Sequence, residues 1–315
     1  MTSHNARRIR TSAAAVAVLA ALALTGCSAA VPAQTNADGA LSGTEITVGS
    51  KEFTESIILG KLTGLVLENA GATVVDRTGI TGSSTVREAL LTGDIDIYWD
   101  YTGTGWVNYL NHTTSDVPAD LFDQVAAEDL KSNGVAWIAP APFENSYGIA
   151  ASAEFVERTG VTTLSAAAVY MAEHPEENSI CAASEFIGRD DGLPGLEDAY
   201  DSPYEKVVEL DFNLIFSQIG SSCTLGEITT TDARVDSMNL VALDDDANFF
   251  VEYRGAVTLL DQTLQDHPEI AELLTPVSEK LTDSVMRTLN GKVDVDGEQP
   301  EDVARDWLES EGLLG

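Results

Sequence analysis

Apolar and polar positions recur along this chain with two alternating periods. Residues 45–50 alternate at period two and predict a strand. Ile57, Ile58, Leu62, Leu65 and Val66 then fall at helical spacing, which predicts a helix over residues 55–69. Thr54 is placed to cap it and Gly71 to stop it. Residues 72–76 read as a second strand, 79–85 as a loop of small hydroxyl residues, and 86–92 as a helix closed by Gly93. A third strand follows over residues 94–101, with Ile95 and Ile97 alternating against Asp94, Asp96 and Tyr98. Further on, helices are predicted over residues 116–133, 163–173, 193–200 and 212–220. Strands are predicted over 135–139, 143–151, 180–183, 206–211, 227–231 and 239–244. Residues 249–257 lead back, and 258–314 read as helical, punctuated by Pro268, Pro276 and Pro300. Strands alternating with helices imply an α/β fold with largely parallel sheets and ligand loops at the carboxyl edges of the strands.

The third strand ends in an unusual cluster. Tyr98, Trp99 and Tyr101 crowd its last turn, Thr102-Gly-Thr-Gly105 follows, and Trp106 closes the stretch. Rings, carboxylates and free backbone N–H groups at one strand end suit a small polar ligand. The same rings are also ordinary core material, so Tyr98 and Trp99 stand between pocket and core.

The start of the chain is of another kind. Arg7, Arg8 and Arg10 precede an apolar run over residues 13–24, too short to span a membrane as a mature helix. The run ends in Leu24-Thr-Gly-Cys27, which resembles a bacterial lipobox, with Cys27 as the lipidated residue. Residues 1–27 are therefore expected to be a lipoprotein signal peptide and 28–43 a flexible tether. No later run of apolar residues is long enough to span a membrane, so attachment by lipid alone is expected. The 315 residues suffice for two domains, and 44% hydrophobic with 22% charged residues is a globular composition. The net charge of −34 argues against nucleic acid as a partner, since few cations remain to meet phosphates. Beyond Cys27, Cys181 and Cys223 form an even pair in an exported chain, which favours a disulfide over a metal site. The four His are scattered, and no metal or other cofactor is implied.

Enzyme signatures are thin. No nucleophile elbow, phosphate-binding loop or zinc-protease His pair occurs. Asp94, Asp96 and Asp100 could serve a hydrolase as paired carboxylates, and that alternative stays open here. Among the scarce cations, Arg87 and Arg234 read as partners of nearby acids. Lys51 sits where a strand meets a helix start, a place that favours anions. Arg189 lies in an acidic stretch, where a salt bridge competes with a ligand.

Val48-Gly-Ser-Lys-Glu-Phe-Thr-Glu55, Gly82-Ser-Ser-Thr85, Glu88-Ala-Leu90, Gly93-Asp-Ile-Asp-Ile-Tyr98, Tyr101-Thr-Gly-Thr104, Asn145-Ser-Tyr147, Glu185-Phe186, Arg189, Gly192-Leu193 and Thr231-Asp232 occur in order at family-like spacing. Together they resemble the substrate-binding lipoproteins of osmoprotectant ABC importers, which take glycine betaine, choline or carnitine. The resemblance spans residue 44 to the C-terminus. It implies a two-lobed type II periplasmic-binding-protein fold, with a hinge between two Rossmann-like lobes. Lobe 1 is expected over 44–149 plus 250–315 and lobe 2 over 150–249, with crossings near 149–152 and 246–253.

The resemblance further implies a ring box for a quaternary ammonium and a Lys–Thr–Arg set for a carboxylate. By motif these map to Lys51, Tyr101, Thr104, Tyr147 and Arg189, with Asn145 beside the cation and Tyr200 as a further ring. A trimethylammonium group has no N–H to donate, so cation–π faces must select it, at ~2 kcal/mol per desolvated ring. The family often carries Tyr where this chain has Thr229. Trp99, Phe216 or Tyr98 could replace that ring, or the ligand could be another small cation, zwitterion or amino acid. The implied partners are a quaternary amine and the permease of an ABC importer. The implied state is a monomer anchored on the extracytoplasmic face, with no catalysis.

Overall fold

Strand β1 (Glu45–Lys51) runs into helix α1 (Thr54–Asn69), whose apolar residues are buried along much of its length against the sheet and the C-terminal helices. Strand β2 (Thr73–Ile80), helix α2 (Ser83–Thr92) and strand β3 (Ile97–Tyr101) repeat the unit. All of β3 is buried, because helices cover both faces of its sheet. Its side chains split by parity. Trp99 and Tyr101 face the larger core with Ile46, Leu62 and Phe143, whereas Tyr98 joins a second core with Val86, Trp106 and Trp137.

The computed structural model describes residues 39–314. The leader expected over residues 1–27, Cys27 and most of the tether lie outside them. The tether meets the folded chain before the expected residue 43: Leu41 is 1% exposed and its N–H bonds the Ala70 carbonyl at 2.9 Å. An apolar side chain that caps the end of α1 cannot belong to a solvated linker.

Two five-stranded sheets are present among the described residues. The first has the order β2-β1-β3-β10-β4, with β4 at Val135–Ile138 and β10 at Gly255–Leu260. The second has the order β7-β6-β8-β5-β9. Its strands are β5 (Tyr147–Ser152), β6 (Ser179–Ala182), β7 (Lys206–Glu209), β8 (Leu225–Thr229) and β9 (Leu240–Ala242). β1, β2 and β3 pair in parallel, as do β6, β7 and β8. In each sheet one strand runs against its neighbours: β10 in the first and β5 in the second. Each is the strand that arrives from the other lobe.

The chain crosses between lobes after β4 and again after β9. The two crossings pair with each other, through an antiparallel bridge of Glu144 with Arg254 and an Asn145 N–H bond to the Tyr253 carbonyl at 3.0 Å. The first crossing lies ahead of the expected 149–152. Those residues form the buried half of β5, and a strand buried in the second sheet cannot also be a linker. Helices follow β10 at Asp261–Asp266, Glu269–Ser278, Asp283–Asp294 and Pro300–Ser310. Thus the first three residues of the stretch expected to be helical complete β10. Cys181 at the middle of β6 and Cys223 just before β8 are joined by a disulfide, with Cα atoms 5.7 Å apart, inside the second lobe.

Candidate functional site

The carboxyl ends of β1 and β3 and the start of α2 open on one cavity, and β5, β8 and the turns after β6 close it from the other lobe. Its lining includes Lys51, Phe53, Tyr101, Thr104, Asn145, Tyr147, Glu185, Arg189, Phe212, Glu227, Thr229 and Tyr253. Five rings reach it. Phe53 lies 6.0 Å from Tyr101 and 6.4 Å from Phe212, which comes from the opposite lobe. Tyr147 and Tyr253 meet edge-to-face at 5.3 Å. Gly103 makes room for this set: a Cβ there would stand 2.7 Å from the Tyr253 ring. That is a physical reason for glycine within Tyr101-Thr-Gly-Thr104.

Each cation of the site is tied to acids of the chain. Lys51, 4% exposed, places Nζ 2.8 Å from Asp100 and 5.1 Å from the Tyr101 ring centroid. Asp100 also accepts from Tyr98 Oη at 2.5 Å, Tyr109 Oη at 2.9 Å and the Tyr101 N–H at 2.8 Å. Arg189 donates from Nε and Nη2 to Asp191 at 2.7 and 2.5 Å, from Nη1 to Glu185 at 2.7 Å, and from Nη2 to Tyr253 Oη at 3.2 Å. Its guanidinium faces Tyr147 at 5.6 Å. Such a fork, held by planar bidentate pairing, is fixed before any ligand arrives.

Glu185 spans the lobes. Its carboxylate accepts from Ser83 Oγ at 2.6 Å and from the Ser83 N–H at 3.0 Å, at the start of α2. Burial pushes its pKa up, but Lys51, Arg189 and the Ser83 hydrogen bonds outweigh that and hold it at about 2. Two other carboxyls are shifted the opposite way. Burial raises Glu55 against hydrogen bonds from Tyr101 Oη at 2.9 Å and from Asn145 and Asn290 at 2.7 and 3.1 Å. Burial also raises Glu227, to about 8; the Ala183 N–H at 2.7 Å is the hydrogen bond it accepts. The Oδ1 atom of Asn145 is buried without a partner among the described residues.

A family model described as the substrate-binding domain of ABC-type glycine betaine transport systems matches residues 44–310. The chain belongs to this family. A glycine-betaine-binding protein of Pseudomonas aeruginosa is 32% identical over 286 residues, covering 88% of this chain and 91% of that one. An ergothioneine transport permease/ergothioneine binding protein of Helicobacter pylori is 31% identical over 85% of this chain, which spans about half (48%) of its length. Apo YehZ of Escherichia coli aligns with a TM-score of 0.61 and 28% identity, over 85% of this chain and 99% of that one. The two-lobed α/β fold is that of type II periplasmic-binding proteins. The family consists of substrate-binding proteins of ABC transporters, not enzymes.

Within this glycine betaine family fold, the motif residues Lys51, Tyr101, Thr104, Asn145, Tyr147 and Arg189 share the cavity with Thr229. Four other positions lie elsewhere. Tyr200 hydrogen-bonds Asp245 and the Ala247 N–H, away from the cavity. Trp99 packs in the first core and donates Nε1 to Thr63 at 2.9 Å. Tyr98 is held behind the wall by Asp100. Phe216 lies under Arg234, 4.0 Å from its guanidinium carbon, while Arg234 pairs with Asp232 and Arg87 with Asp129. The three acids of the hydrolase alternative are dispersed and none lines the cavity. Asp94 is exposed, Asp96 accepts the Thr47 N–H at 2.7 Å, and Asp100 is saturated.

Sequence reasoning missed Phe53, Phe212, Tyr253, Ser83, Glu185 and Glu227 as lining residues. Phe53 and Glu185 lay inside the quoted motifs, so proximity to Lys51 and Arg189 was a usable signal. Glu227 sits two residues before Thr229, on the same face of β8, a parity argument that was available. Tyr253 carried no local signal, since only the pairing of the two crossings brings it to the site.

Proposed function

We propose that this protein captures a small quaternary-ammonium osmolyte such as glycine betaine between its lobes and delivers it to an ABC permease. The observation that carries this reading is the meeting of five rings from both lobes and the crossing with Lys51 and Arg189 in one cavity. Rings supply cation–π faces to the ammonium, at ~2 kcal/mol each when desolvated. The N–H groups of Lys51 and Arg189 that remain beside their acidic partners, with Thr104, face the carboxylate end. The named binding activity of the Pseudomonas relative supports glycine betaine over choline, carnitine or ergothioneine. In this reading Cys27 carries the lipid anchor on the extracytoplasmic face, and the protein acts as a monomer. No helix among the described residues is long and apolar enough to cross a membrane.

Calorimetry of the purified protein against glycine betaine, choline, carnitine and proline tests it. At least one quaternary amine should bind, and Tyr147→Ala should weaken it about 30-fold, the equivalent of one ring. Binding of proline or a sugar in place of every quaternary amine would sink the ligand reading.

A further inference from the structure

The wall formed by β8 differs from the rest of the cavity. Its two inward positions are Glu227 and Thr229, a carboxyl and a hydroxyl where a ring would complete the box. Glu227 is 2% exposed and still lines the cavity. Among the described residues no Lys, Arg or His nitrogen pairs with it, and it accepts one hydrogen bond, from the Ala183 N–H. Glu55 is the instructive contrast. It is equally buried, but Tyr101, Asn145 and Asn290 saturate it and it does not line the cavity. A buried carboxyl that is left under-partnered and turned into a ligand cavity is costly unless the ligand completes it.

We propose that Glu227 is the counter-charge to the ligand's quaternary ammonium, standing in for the ring absent at Thr229, and that binding ionises it. The balance is simple: the protonated carboxyl and the cation give a carboxylate–ammonium contact and one proton released to solvent. This rests on the ammonium ligand proposed above. In the empty site Glu227 holds its proton below about pH 8, because burial and the neighbouring Glu185 charge raise it to about 8 against the Ala183 N–H and Arg189. The other charged or titratable groups of the cavity are Lys51, Glu52, Tyr101, Tyr147 and Tyr253; none of the His lines it. A cation placed against Glu227 reverses that balance.

The sign follows. Ligand lowers the pKa of Glu227, so affinity rises with pH while the free carboxyl is still protonated and levels off once it has ionised. For glycine betaine and for choline, Kd should fall by up to about tenfold per pH unit from about pH 6 to pH 8, then flatten by about pH 9. Wild-type calorimetry near pH 7 in two buffers of different ionisation enthalpy should show release of most of one proton per ligand. Glu227→Gln should remove both the slope and the released proton, and bind at least about tenfold more weakly than wild type near pH 9. Binding with a flat pH profile and no proton release in the wild type would overturn this inference while leaving the proposed function intact. An unchanged slope in Glu227→Gln would overturn it too. Failure of every quaternary amine to bind at any pH would overturn both.

Discussion

Asp100 and Glu227 are buried carboxyls on opposite lobes, each on a strand that borders the cavity, and their surroundings differ. Asp100 is met by Lys51 Nζ, two tyrosine hydroxyls and a backbone N–H, all within 2.9 Å. Glu227 is met by one backbone N–H. The first lies behind the cavity wall and fixes Lys51 against Tyr101; the second faces the cavity itself. The difference teaches where this site is finished and where it is open. A saturated network rigidifies its members whether or not ligand is present, whereas a polar group short of partners reserves a place for one.

The largest expected effect breaks the finished side. Asp100→Ala takes the ion-pair partner from the buried Lys51 ammonium and removes the acceptor of Tyr98 and one of the two acceptors of Tyr109. Loss of one partner of a buried pair costs about 3–5 kcal/mol. Urea unfolding should register it as a lower midpoint with little change in slope. Lys51→Met added to Asp100→Ala should recover part of the loss, because the stranded charge is gone. A midpoint within error of wild type for Asp100→Ala would mean that the network contributes no rigidity and the contrast with Glu227 is empty.

The next effect loosens the open side. The Cys181–Cys223 disulfide ties β6 to the entry of β8, directly behind Glu227 and the Ala183 N–H that it accepts. The bridged residues are 42 apart in sequence, so the chain-entropy argument gives about 4 kcal/mol, within a typical measured range of about 2–4. The Cys181→Ser, Cys223→Ser double variant should lose stability on that scale, and ligand affinity should fall as β8 gains freedom. Unaltered affinity alongside the stability loss would show that strand pairing with β5 and β6 holds the β8 wall without the disulfide.

Much of this arrangement was legible before the structure, and the gaps have physical causes. The β1–α1 and α2–β3 units follow from a switch of period, and those strand ends carry Lys51, Tyr101 and Thr104 into the cavity. Periodicity could not separate Tyr98 from Tyr101, because β3 is buried on both faces and parity then selects between two cores, not between core and water. It could not separate Phe212 from Phe216 either. The two lie one helical turn apart with rings 5.4 Å from each other, and Arg234 stands over both, 5.8 Å from Phe212 and 4.0 Å from Phe216, yet only Phe212 lines the cavity. Tyr253 depended on the pairing of the two crossings, a contact between segments about a hundred residues apart. The first crossing was placed late because the strand read over residues 143–151 was assigned to the first lobe, whereas residues 147–152 pair with β8 in the second sheet and the chain crosses ahead of them.

The smallest effect sharpens the comparison. Thr229 lies directly across from Tyr147 in the β5–β8 register, and both line the cavity. Cross-strand neighbours hold their Cβ atoms about 5 Å apart, so Thr229→Tyr would set a ring beside the existing one. If the missing ring is what Glu227 replaces, that variant supplies two counter-surfaces for one ammonium. Affinity for glycine betaine should then rise by about tenfold, near 1.4 kcal/mol, in the range of a single partly desolvated cation–π contact. The gain should be larger near pH 6, where Glu227 still holds its proton, than near pH 9, where it already balances the cation. A gain independent of pH would mean that the ring and the carboxyl serve different parts of the ligand. A loss of affinity would mean that the Thr229 hydroxyl, and not the space beside it, is what the β8 wall contributes.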